Sequence, residues 1–258
     1  MPTYQEAPNL RLLLPRIAST LTGGTATYEV LILDDRSDDQ TPEVVAAEST
    51  RMPVRLIIRE GPRDLSLAVL EGLRQARGQT LLVMDADLSH PPERIPDLLT
   101  ALNRPGADFV IGSRFTSGGR TEDWGGHRRL NSYVATLLCR PLTGQVRDPM
   151  AGFFALRRET FERANKLAPI GYKIGLELIC RCRCQGIAEV PIVFHNRVHG
   201  QSKLNLDQQS RYLLHLDRLY RDCRPGWAII MRPILWSMLA SLWLVRQPGR
   251  LRHHPAAG

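Results

Sequence analysis

The segment TLLVMDADLSHPPE, residues 80–93, places two carboxylates at the end of an apolar run. Asp85 and Asp87 are separated by one residue and directly follow the hydrophobic stretch. Charge at the end of a buried strand costs free energy unless a counter-charge compensates it. Carboxylate oxygens suit Mg²⁺, which usually keeps several waters and shares its coordination with substrate phosphates. The spacing indicates a divalent-cation site, although an Asp-x-Asp pair alone is also typical of a solvated turn.

Other charged residues follow further apolar runs. Asp34 and Asp35 end the run YEVLILDD, and Arg114 ends ADFVIGSR. The polar loop RVHGQSKLN adds two cations, Arg197 and Lys203. Carboxylates, a metal and cations at one edge suit a nucleoside diphosphate, with the diphosphate on the metal and the cations.

The elements that must position these residues alternate along the chain. The apolar runs predict strands, and the segments between them have helical periodicity. We expect Thr41 to be an N-cap with Pro42 at the first helical position, and Gly78 to close the next helix. The predicted strands lie in 28–35, 54–60, 80–87 and 107–114, and the predicted helices in 5–21, 41–50, 65–78 and 92–102. This order predicts an α/β fold with a mostly parallel sheet, in which ligands bind outside the carboxyl ends of the strands.

Known phosphate-binding loops are missing from this pattern. No G-x-G-x-x-G follows a predicted strand, and no G-x-x-x-x-G-K-[ST] occurs. Dinucleotide-binding and P-loop classes therefore lack their phosphate cradle. The opening residues MPTYQEAPNL contain no apolar strand before Pro2, although a strand precedes every other predicted helix. We expect the first strand of the sheet to be missing from the sequence as it begins.

Composition limits the class of protein. The chain has 258 residues, 43% of them hydrophobic, which suffices for one well-buried domain with a small appendage. The formal net charge of +8 suggests an anionic partner, such as lipid headgroups, a phosphorylated substrate or nucleic acid, or else a solvated basic face. Aromatic residues are only 6% and do not interleave with the basic ones, which argues against nucleic acid. Five cysteines without a disulfide-framework spacing indicate a reducing compartment.

The C-terminal segment differs from the rest of the chain. Residues 226–245 are almost all apolar but are broken by Arg232 and Pro233. This segment holds three of the four tryptophans, Trp227, Trp236 and Trp243, and tryptophan favours membrane interfaces. An interfacial or re-entrant helix is our first expectation. A membrane span and a soluble core helix are the alternatives.

Several motifs together resemble one family. PTYQE, LILDDRSDDQT, MDADLSHPPE, GSRF, DPMAGFFALRRE, GYKIGLEL, AEVPIVF and RVHGQSKL occur in order between Pro2 and about Tyr220. They resemble the polyprenol-phosphate (dolichol-phosphate) mannosyltransferases of glycosyltransferase family 2. The resemblance implies a GT-A fold, which agrees with the mostly parallel sheet predicted above. We therefore expect a GT-A catalytic domain over 1–222, its first strand apparently missing. From its composition we expect residues 223–258 to form a basic, hydrophobic, membrane-associating tail with a hydrophobic C-terminal helix.

The resemblance also implies roles for individual residues. The positions implied for nucleotide-sugar binding are Pro2, Tyr4, Glu6, Ile32, Asp34, Asp85, Ala86, Asp87, Arg114, Arg197 and Lys203. Asp85 and Asp87 would bind Mg²⁺ or Mn²⁺, and Asp87 and Arg114 would be catalytic. Arg114, Arg128 and Ser132 would hold the acceptor phosphate. Ser89 occupies a position that is Gln in some members, where it joins the metal shell.

The implied reaction moves a hexose, mannose from GDP-mannose, onto a polyprenyl (dolichyl) phosphate with inversion, at the cytoplasmic face of the cell membrane. A phosphomonoester has a second pKa of about 6, so it is already a nucleophile near neutral pH and needs no general base. We therefore expect neither His90 nor His195 to be a catalytic base. The alternatives are glucosyl transfer from UDP-glucose, or an inactive, truncated homologue that acts as a basic membrane-surface protein.

Overall fold

A computed structural model describes residues 1–22, 27–122, 124–196 and 206–245. The chain divides into two compact units, Met1–Ser202 and Lys203–Gly258. The boundary between the units lies earlier than the predicted end of the catalytic domain at residue 222, because helix Leu206–Cys223 packs with the C-terminal helix. Where the catalytic function ends along the chain stays a prediction.

The first unit contains a parallel sheet near its N-terminus. Strand β2 (Val30–Asp34) lies between β1 (Pro2–Thr3) and β3 (Val54–Ile58), and both pairs are parallel. All five residues of β2 are buried, as its apolar run predicts. Although the opening residues contain no apolar run, Pro2 and Thr3 form a two-residue strand that pairs with Leu33 and Asp34. That a longer first strand is missing stays a prediction.

A mixed sheet forms the rest of the core. Its order is β4 (Thr80–Val83), β7 (Phe154–Arg157), β5 (Phe109–Ser113) and β8 (Ile187–Pro191). Strand β7 is antiparallel to β4 and β5, whereas β5 and β8 are parallel. A short parallel pair joins β6 (Arg120–Thr121) to β9 (Val193–Phe194). The expected mostly parallel sheet is confirmed, with β7 as its antiparallel member.

Helices cover both faces of these strands. In the first unit they are α1 (Ala7–Leu21), α2 (Thr41–Glu48), α3 (Leu65–Gln75), α4 (Ile95–Leu102, after a 3₁₀ turn at Pro92–Arg94), α5 (Gly126–Thr143), α6 (Arg158–Glu162) and α7 (Ile174–Arg181). Alternate residues of β5 enter different clusters: Val110 packs with α1 and α4, whereas Phe109 and Ile111 pack with α3 and α7. The period of two along each strand thus divides the core into two layers.

Two helix boundaries differ from the prediction. Gln40, not Thr41, is the N-cap of α2, and Thr41 occupies the first helical position. Helix α3 ends at Gln75 rather than at Gly78, and an extended Ala76 terminates it. At its other end, Asp64 caps α3 by accepting a hydrogen bond from the Leu67 backbone N–H at 2.9 Å. Such a cap stabilises a helix by about 1 kcal/mol.

The second unit contains two long helices, α8 (Leu206–Cys223) and α9 (Pro225–Val245). The carboxylate of Asp217 is 4% exposed and accepts hydrogen bonds from Arg232 Nε at 2.8 Å and Trp236 Nε1 at 3.1 Å. Asp217 therefore supplies a counter-charge for the arginine that interrupts the apolar sequence of α9. Residues Pro225–Leu244 are long and apolar enough to cross a membrane, although a soluble helix can meet the same criterion.

Candidate active site

The loop after β4 carries the paired carboxylates. Asp87 is 4% exposed, and its Oδ1 accepts hydrogen bonds from the Ser89 backbone N–H at 3.1 Å and the Ser89 hydroxyl at 2.5 Å. Between them, Leu88 has a φ of +63°, which is uncommon for a bulky residue and costs of order 1 kcal/mol or more. Backbone strain of this kind persists only where the surroundings impose it. The short loop therefore fixes Asp87 in place, and Ala86 is buried within it.

Asp85 lies beside a close backbone approach. A Cβ on Gly152, just before β7, would lie 3.0 Å from Asp85 Oδ2 and 3.4 Å from His90 Cε1. The Asp85 backbone N–H donates to His90 Nδ1 at 3.1 Å, so the neutral imidazole carries its proton on Nε2. His90 is 2% exposed and stacks on Phe153 with ring centroids 5.3 Å apart. The packed imidazole therefore orients the loop, and the absence of a base role for His90 stays a prediction.

Arg114, at the end of β5, is paired with a carboxylate that the sequence reasoning missed. Its Nε and Nη2 donate to Asp148 at 2.7 and 2.6 Å, and its backbone N–H donates to the same carboxylate at 2.9 Å. Asp148 is completely buried, and its own backbone N–H donates to Glu189 at 3.0 Å. A bidentate pair uses two of the five guanidinium N–H donors, so Arg114 keeps donors for an anionic ligand.

Lys173 is a second cation that the sequence reasoning did not single out. Its Nζ donates to the Met150 carbonyl at 3.2 Å and lies 4.4 Å from the Tyr172 ring centroid. Among the described residues it forms no ion pair. Burial lowers the pKa of Lys173 to about 8, and the nearby positive charge of Arg114 acts in the same direction, whereas Asp148 and Asp85 oppose it. Because Met150 lies between Asp148 and Gly152, its hydrogen bond places Lys173 on the segment that contacts both Arg114 and Asp85.

An aromatic cluster lies beside Arg114. The guanidinium carbons of Arg114 and Arg128 lie 5.0 and 4.1 Å from the Trp124 ring centroid. Arg128 is on α5, and Ser132 follows it by one helical turn, so the two share a face. Burial raises the pKa of Tyr172, while Arg114 and Arg128 oppose this shift. Arg114, Arg128 and Tyr172 are therefore brought together from three separate segments.

The predicted nucleoside residues have varied environments. Asp34 is 3% exposed and accepts hydrogen bonds from Thr3 Oγ1 at 3.1 Å and from the Ser37 N–H and hydroxyl at 2.7 and 2.6 Å. Its carboxylate thus fixes the turn after β2. Ile32 is completely buried in the core, so its side chain supports β2 and does not line a surface. The ring of Tyr4 lies 3.5 Å from the guanidinium carbon of Arg63.

The remaining predicted site residues come from the start of the chain and from the loop after β9. Pro2 is half-buried in β1, and Glu6 Oε2 accepts a hydrogen bond from Asn9 Nδ2 at 2.5 Å. Arg197 and Lys203 fall outside the described residues. The residue before that gap that contacts the site is His195: its backbone N–H donates to the Ser89 carbonyl at 3.1 Å, and its Nδ1 lies 2.8 Å from Glu122 Oε2.

The sequence gives only partial signals for three further residues of the site, Asp148, Lys173 and Trp124. Asp148 and Lys173 lie within DPMAGFFALRRE and GYKIGLEL, two motifs that carried the resemblance but to which no role was given. Their contacts join residues far apart in sequence, since Arg114 and Asp148 are 34 positions apart. Neither periodicity nor strand-end position specifies such a pair. Trp124 gave no signal beyond its residue type.

Glycosyltransferases that use nucleotide-sugar donors share the combination of an α/β sheet with carboxylates and cations at its strand ends. The family model described as "Glycosyl transferase family 2" matches residues 1–164. The chain belongs to glycosyl transferase family 2.

Relatives with assigned activities share much of this sequence. Dolichol-phosphate mannosyltransferase from Pyrococcus furiosus is 41% identical over 86% of this chain and 62% of its own length. The enzymes of that name from Mycosarcoma maydis and Saccharomyces cerevisiae are 42% and 36% identical, covering 86% and 93% of this chain and 78% and 92% of theirs. The chain thus spans less than two thirds of the Pyrococcus relative.

Solved structures confirm the GT-A fold. Glucosyl-3-phosphoglycerate synthase from Mycobacterium tuberculosis, in complex with Mn²⁺, uridine-diphosphate-glucose and glycerol 3-phosphate, matches with a TM-score of 0.61 and 21% identity, over 86% of this chain and 78% of that one. A further mycobacterial protein matches with a TM-score of 0.64 and 21% identity, over 86% and 72% of the two chains. At these identities the likeness concerns the fold.

Proposed function

We propose that this chain transfers mannose from GDP-mannose to a polyprenyl (dolichyl) phosphate, with inversion at the anomeric carbon. The observation that carries this proposal is the arrangement around the segment between residues 148 and 152. Arg114 pairs with Asp148, Lys173 donates to the Met150 carbonyl, and Gly152 lies against Asp85. The names of the three dolichol-phosphate mannosyltransferases support the acceptor and the transferred sugar, and the choice of GDP-mannose as donor rests on the family resemblance.

The chemistry of the donor set fits a divalent cation. Asp85 and Asp87 present hard oxygen ligands on one fixed loop, and Gly152 leaves room beside Asp85 that a side chain would fill. No group of three or more His, Cys, Asp or Glu side chains forms a candidate metal site within the described residues. Two carboxylates nevertheless suffice for Mg²⁺ or Mn²⁺ when substrate phosphates complete the shell. When bound, such an ion supplies charge neutralisation for the leaving diphosphate.

The cations of the chain act on the same phosphates. Lys173 has no ion-pair partner among the described residues, and an anionic diphosphate would supply its missing counter-charge. Arg114, oriented by Asp148, directs its other N–H donors to the phosphates. We also assign Arg197 and Lys203 to the diphosphate by their place in the RVHGQSKL motif. Pro2, Tyr4, Glu6, Asp34 and Ala86, with the backbone at Ile32, would surround the nucleoside.

The acceptor requires no general base. At neutral pH most of a phosphomonoester is a dianion, and one of its oxygens can attack the anomeric carbon directly. Arg114, Arg128 and Ser132 would bind this phosphate, and their role is to place its oxygen in line with the leaving diphosphate. Catalysis then consists of positioning and charge stabilisation. The packed environment of His90 supports a mechanism without a histidine base.

The second unit would bring the catalytic domain to its lipid substrate. Helix α9 exposes Ile229, Ile230 and Trp227 at 79%, 58% and 47%, which is unfavourable in water. Basic residues flank this apolar helix and would contact anionic headgroups. We therefore place the protein at a membrane surface, with the active site on the cytoplasmic face where nucleotide sugars are supplied.

A transfer assay tests the donor. The protein is incubated with polyprenyl phosphate and either labelled GDP-mannose or labelled UDP-glucose, with and without EDTA, and label in the organic phase is counted. We expect lipid-linked label from GDP-mannose only, and its loss with EDTA. Label from UDP-glucose alone would overturn the choice of sugar, and the absence of label from both donors would overturn the proposed activity.

A further inference from the structure

Trp124 lies under two guanidinium groups at once. The guanidinium carbons of Arg114 and Arg128 are both within the roughly 6 Å range of a cation–π interaction with its indole ring. Phe115 and Phe194 pack edge-on against the ring, with centroid separations of 6.4 and 5.9 Å. The indole is therefore held in one orientation, and Arg128 has the shortest cation–ring distance in the cluster.

Simple core packing does not account for a tryptophan here. The side chain is 7% exposed, and its Nε1–H has no hydrogen-bond partner within the described part of the chain. A buried donor without an acceptor destabilises a protein, whereas phenylalanine would fill a core without that penalty. Tryptophan, however, provides the strongest cation–π face among the aromatic side chains. Its position against two arginines therefore indicates a role in holding them.

Two arginines approach the same ring, and they come from different elements. Asp148 forms a bidentate pair with Arg114, which fixes that guanidinium from the sheet side. Arg128 comes from α5 and has the indole face as its nearest aromatic contact. Because a long arginine side chain loses rotamer freedom when it is fixed, the indole lowers the entropic cost of bringing Arg128 beside Arg114.

We propose that Trp124 is a positioning residue for the acceptor: its indole face holds Arg128 beside Arg114, so that the two arginines grip one phosphate oxyanion. This inference rests on the proposed function for the identity of that oxyanion, the phosphate of a polyprenyl phosphate. Trp124 itself acts through Arg128 and is not a catalytic residue.

A double-mutant cycle tests the coupling. The apparent KM for polyprenyl phosphate and the KM for GDP-mannose are measured for wild type, Trp124→Leu, Arg128→Ala and the double variant. We expect Trp124→Leu to raise the acceptor KM between about 3-fold and 30-fold, the span of cation–π energies, and the donor KM less than about twofold. In the Arg128→Ala background, Trp124→Leu should add less than about twofold, because there is no guanidinium left to position.

Two further variants separate an effect on acceptor binding from a general loss of protein stability. Trp124→Phe keeps an aromatic face and should give an acceptor KM between those of wild type and Trp124→Leu. Phe161→Leu changes a similarly buried aromatic residue on α6, and should alter neither KM. Equal effects of Trp124→Leu in both backgrounds, or an equal rise in donor KM, would overturn the inference.

Calorimetric titration with a short-chain isoprenyl phosphate measures phosphate binding directly. It gives the same double-mutant cycle without requiring the transfer reaction. Absence of transfer by the wild-type protein would refute the proposed reaction. The role of Trp124 would still stand if Trp124→Leu weakens phosphate binding in the wild-type background and not in Arg128→Ala. If phosphate binding is unchanged by Trp124→Leu, the role of Trp124 fails whatever the reaction is.

Discussion

Lys173 has opposite expected effects on the stability of the free protein and on the binding of a diphosphate. Lys173 is half-buried and has a carbonyl as its hydrogen-bond partner, so its charge is compensated incompletely, and this lowers its pKa. A diphosphate bound nearby would remove the cost. If Lys173 binds the diphosphate as proposed, it destabilises the free protein in exchange for ligand binding.

Lys173→Met should make the free protein more stable and less active. At pH 7 we expect a gain of roughly 1–3 kcal/mol in the free energy of unfolding, because the buried charge is removed. Since the folded-state pKa of about 8 lies below the unfolded value of 10.5, this gain is complete below pH 8 and shrinks as the pH rises towards 10.5. kcat/KM should fall roughly 10- to 100-fold. Thermal melts at several pH values and initial rates measure both effects.

Lys166→Met is the matched control, since Lys166 is exposed and lies outside the site. It should change neither the melting temperature nor kcat/KM appreciably. A Lys173→Met protein that is less stable than wild type at pH 7 would contradict this account of its charge.

Asp87→Asn tests the metal assignment at the same scale. The amide oxygen can still accept the hydrogen bonds of Ser89, so the loop should keep its shape. A neutral ligand binds a divalent cation less well, so we expect transfer to fall at least about 100-fold and Mn²⁺ to stop strengthening the binding of GDP. Calorimetry with and without Mn²⁺ measures this effect. Asp97→Asn, in an exposed pair with Arg94, should retain the full metal response.

Among the secondary-structure elements, β7 does most to assemble the site. Asp148 and Gly152 lie in the segment that leads into β7, and the antiparallel pairing of β7 with β4 and β5 places that segment beside both strand ends. The parallel strands were predictable because their buried apolar runs end in charged residues. The order of the mixed sheet and the Arg114–Asp148 pair were not, because pairing between distant segments leaves no periodic signal in the sequence.

Gly152→Ala tests the closeness of these two elements. The added methyl group would lie 3.0 Å from Asp85 Oδ2, so we expect Asp85 to move and transfer to fall roughly 10-fold or more. Metal titrations of activity should show a higher half-saturating concentration of Mn²⁺. Gly226→Ala, where no atom lies within 4 Å of the new Cβ, should behave as wild type. An unchanged Mn²⁺ requirement in Gly152→Ala would refute the close approach.

At the scale of the whole molecule, the proposed reaction requires a soluble donor to meet a lipid acceptor. The expectation of a membrane-associating tail came from composition alone, and the structure adds that Asp217 compensates Arg232 between α8 and α9. Composition could not have shown this pairing, because the two residues come from different helices. The compensation lowers the cost of placing α9 against lipid.

Vesicle binding tests this role of α9. Replacing Ile229 and Ile230, both exposed, with Asp should abolish co-sedimentation with vesicles that contain anionic lipid, since each charge costs up to about 3 kcal/mol in the apolar layer. Transfer to a water-soluble short-chain isoprenyl phosphate should be preserved. Leu12→Asp, at an exposed position of α1, is the control and should bind vesicles normally. Normal vesicle binding by the double variant would exclude α9 as the contact surface.

The central claim is that the phosphate of the lipid is the nucleophile and that the protein supplies no base. The most direct measurement is the rate of mannosyl transfer as a function of pH, with polyprenyl phosphate and with the unphosphorylated polyprenol, in wild type and in His195→Gln. We predict transfer to the phosphate only, with a rate that falls below about pH 6 as the dianion is protonated, and the same acid limb in His195→Gln. Equal use of polyprenol, or loss of the acid limb in His195→Gln, would contradict the account.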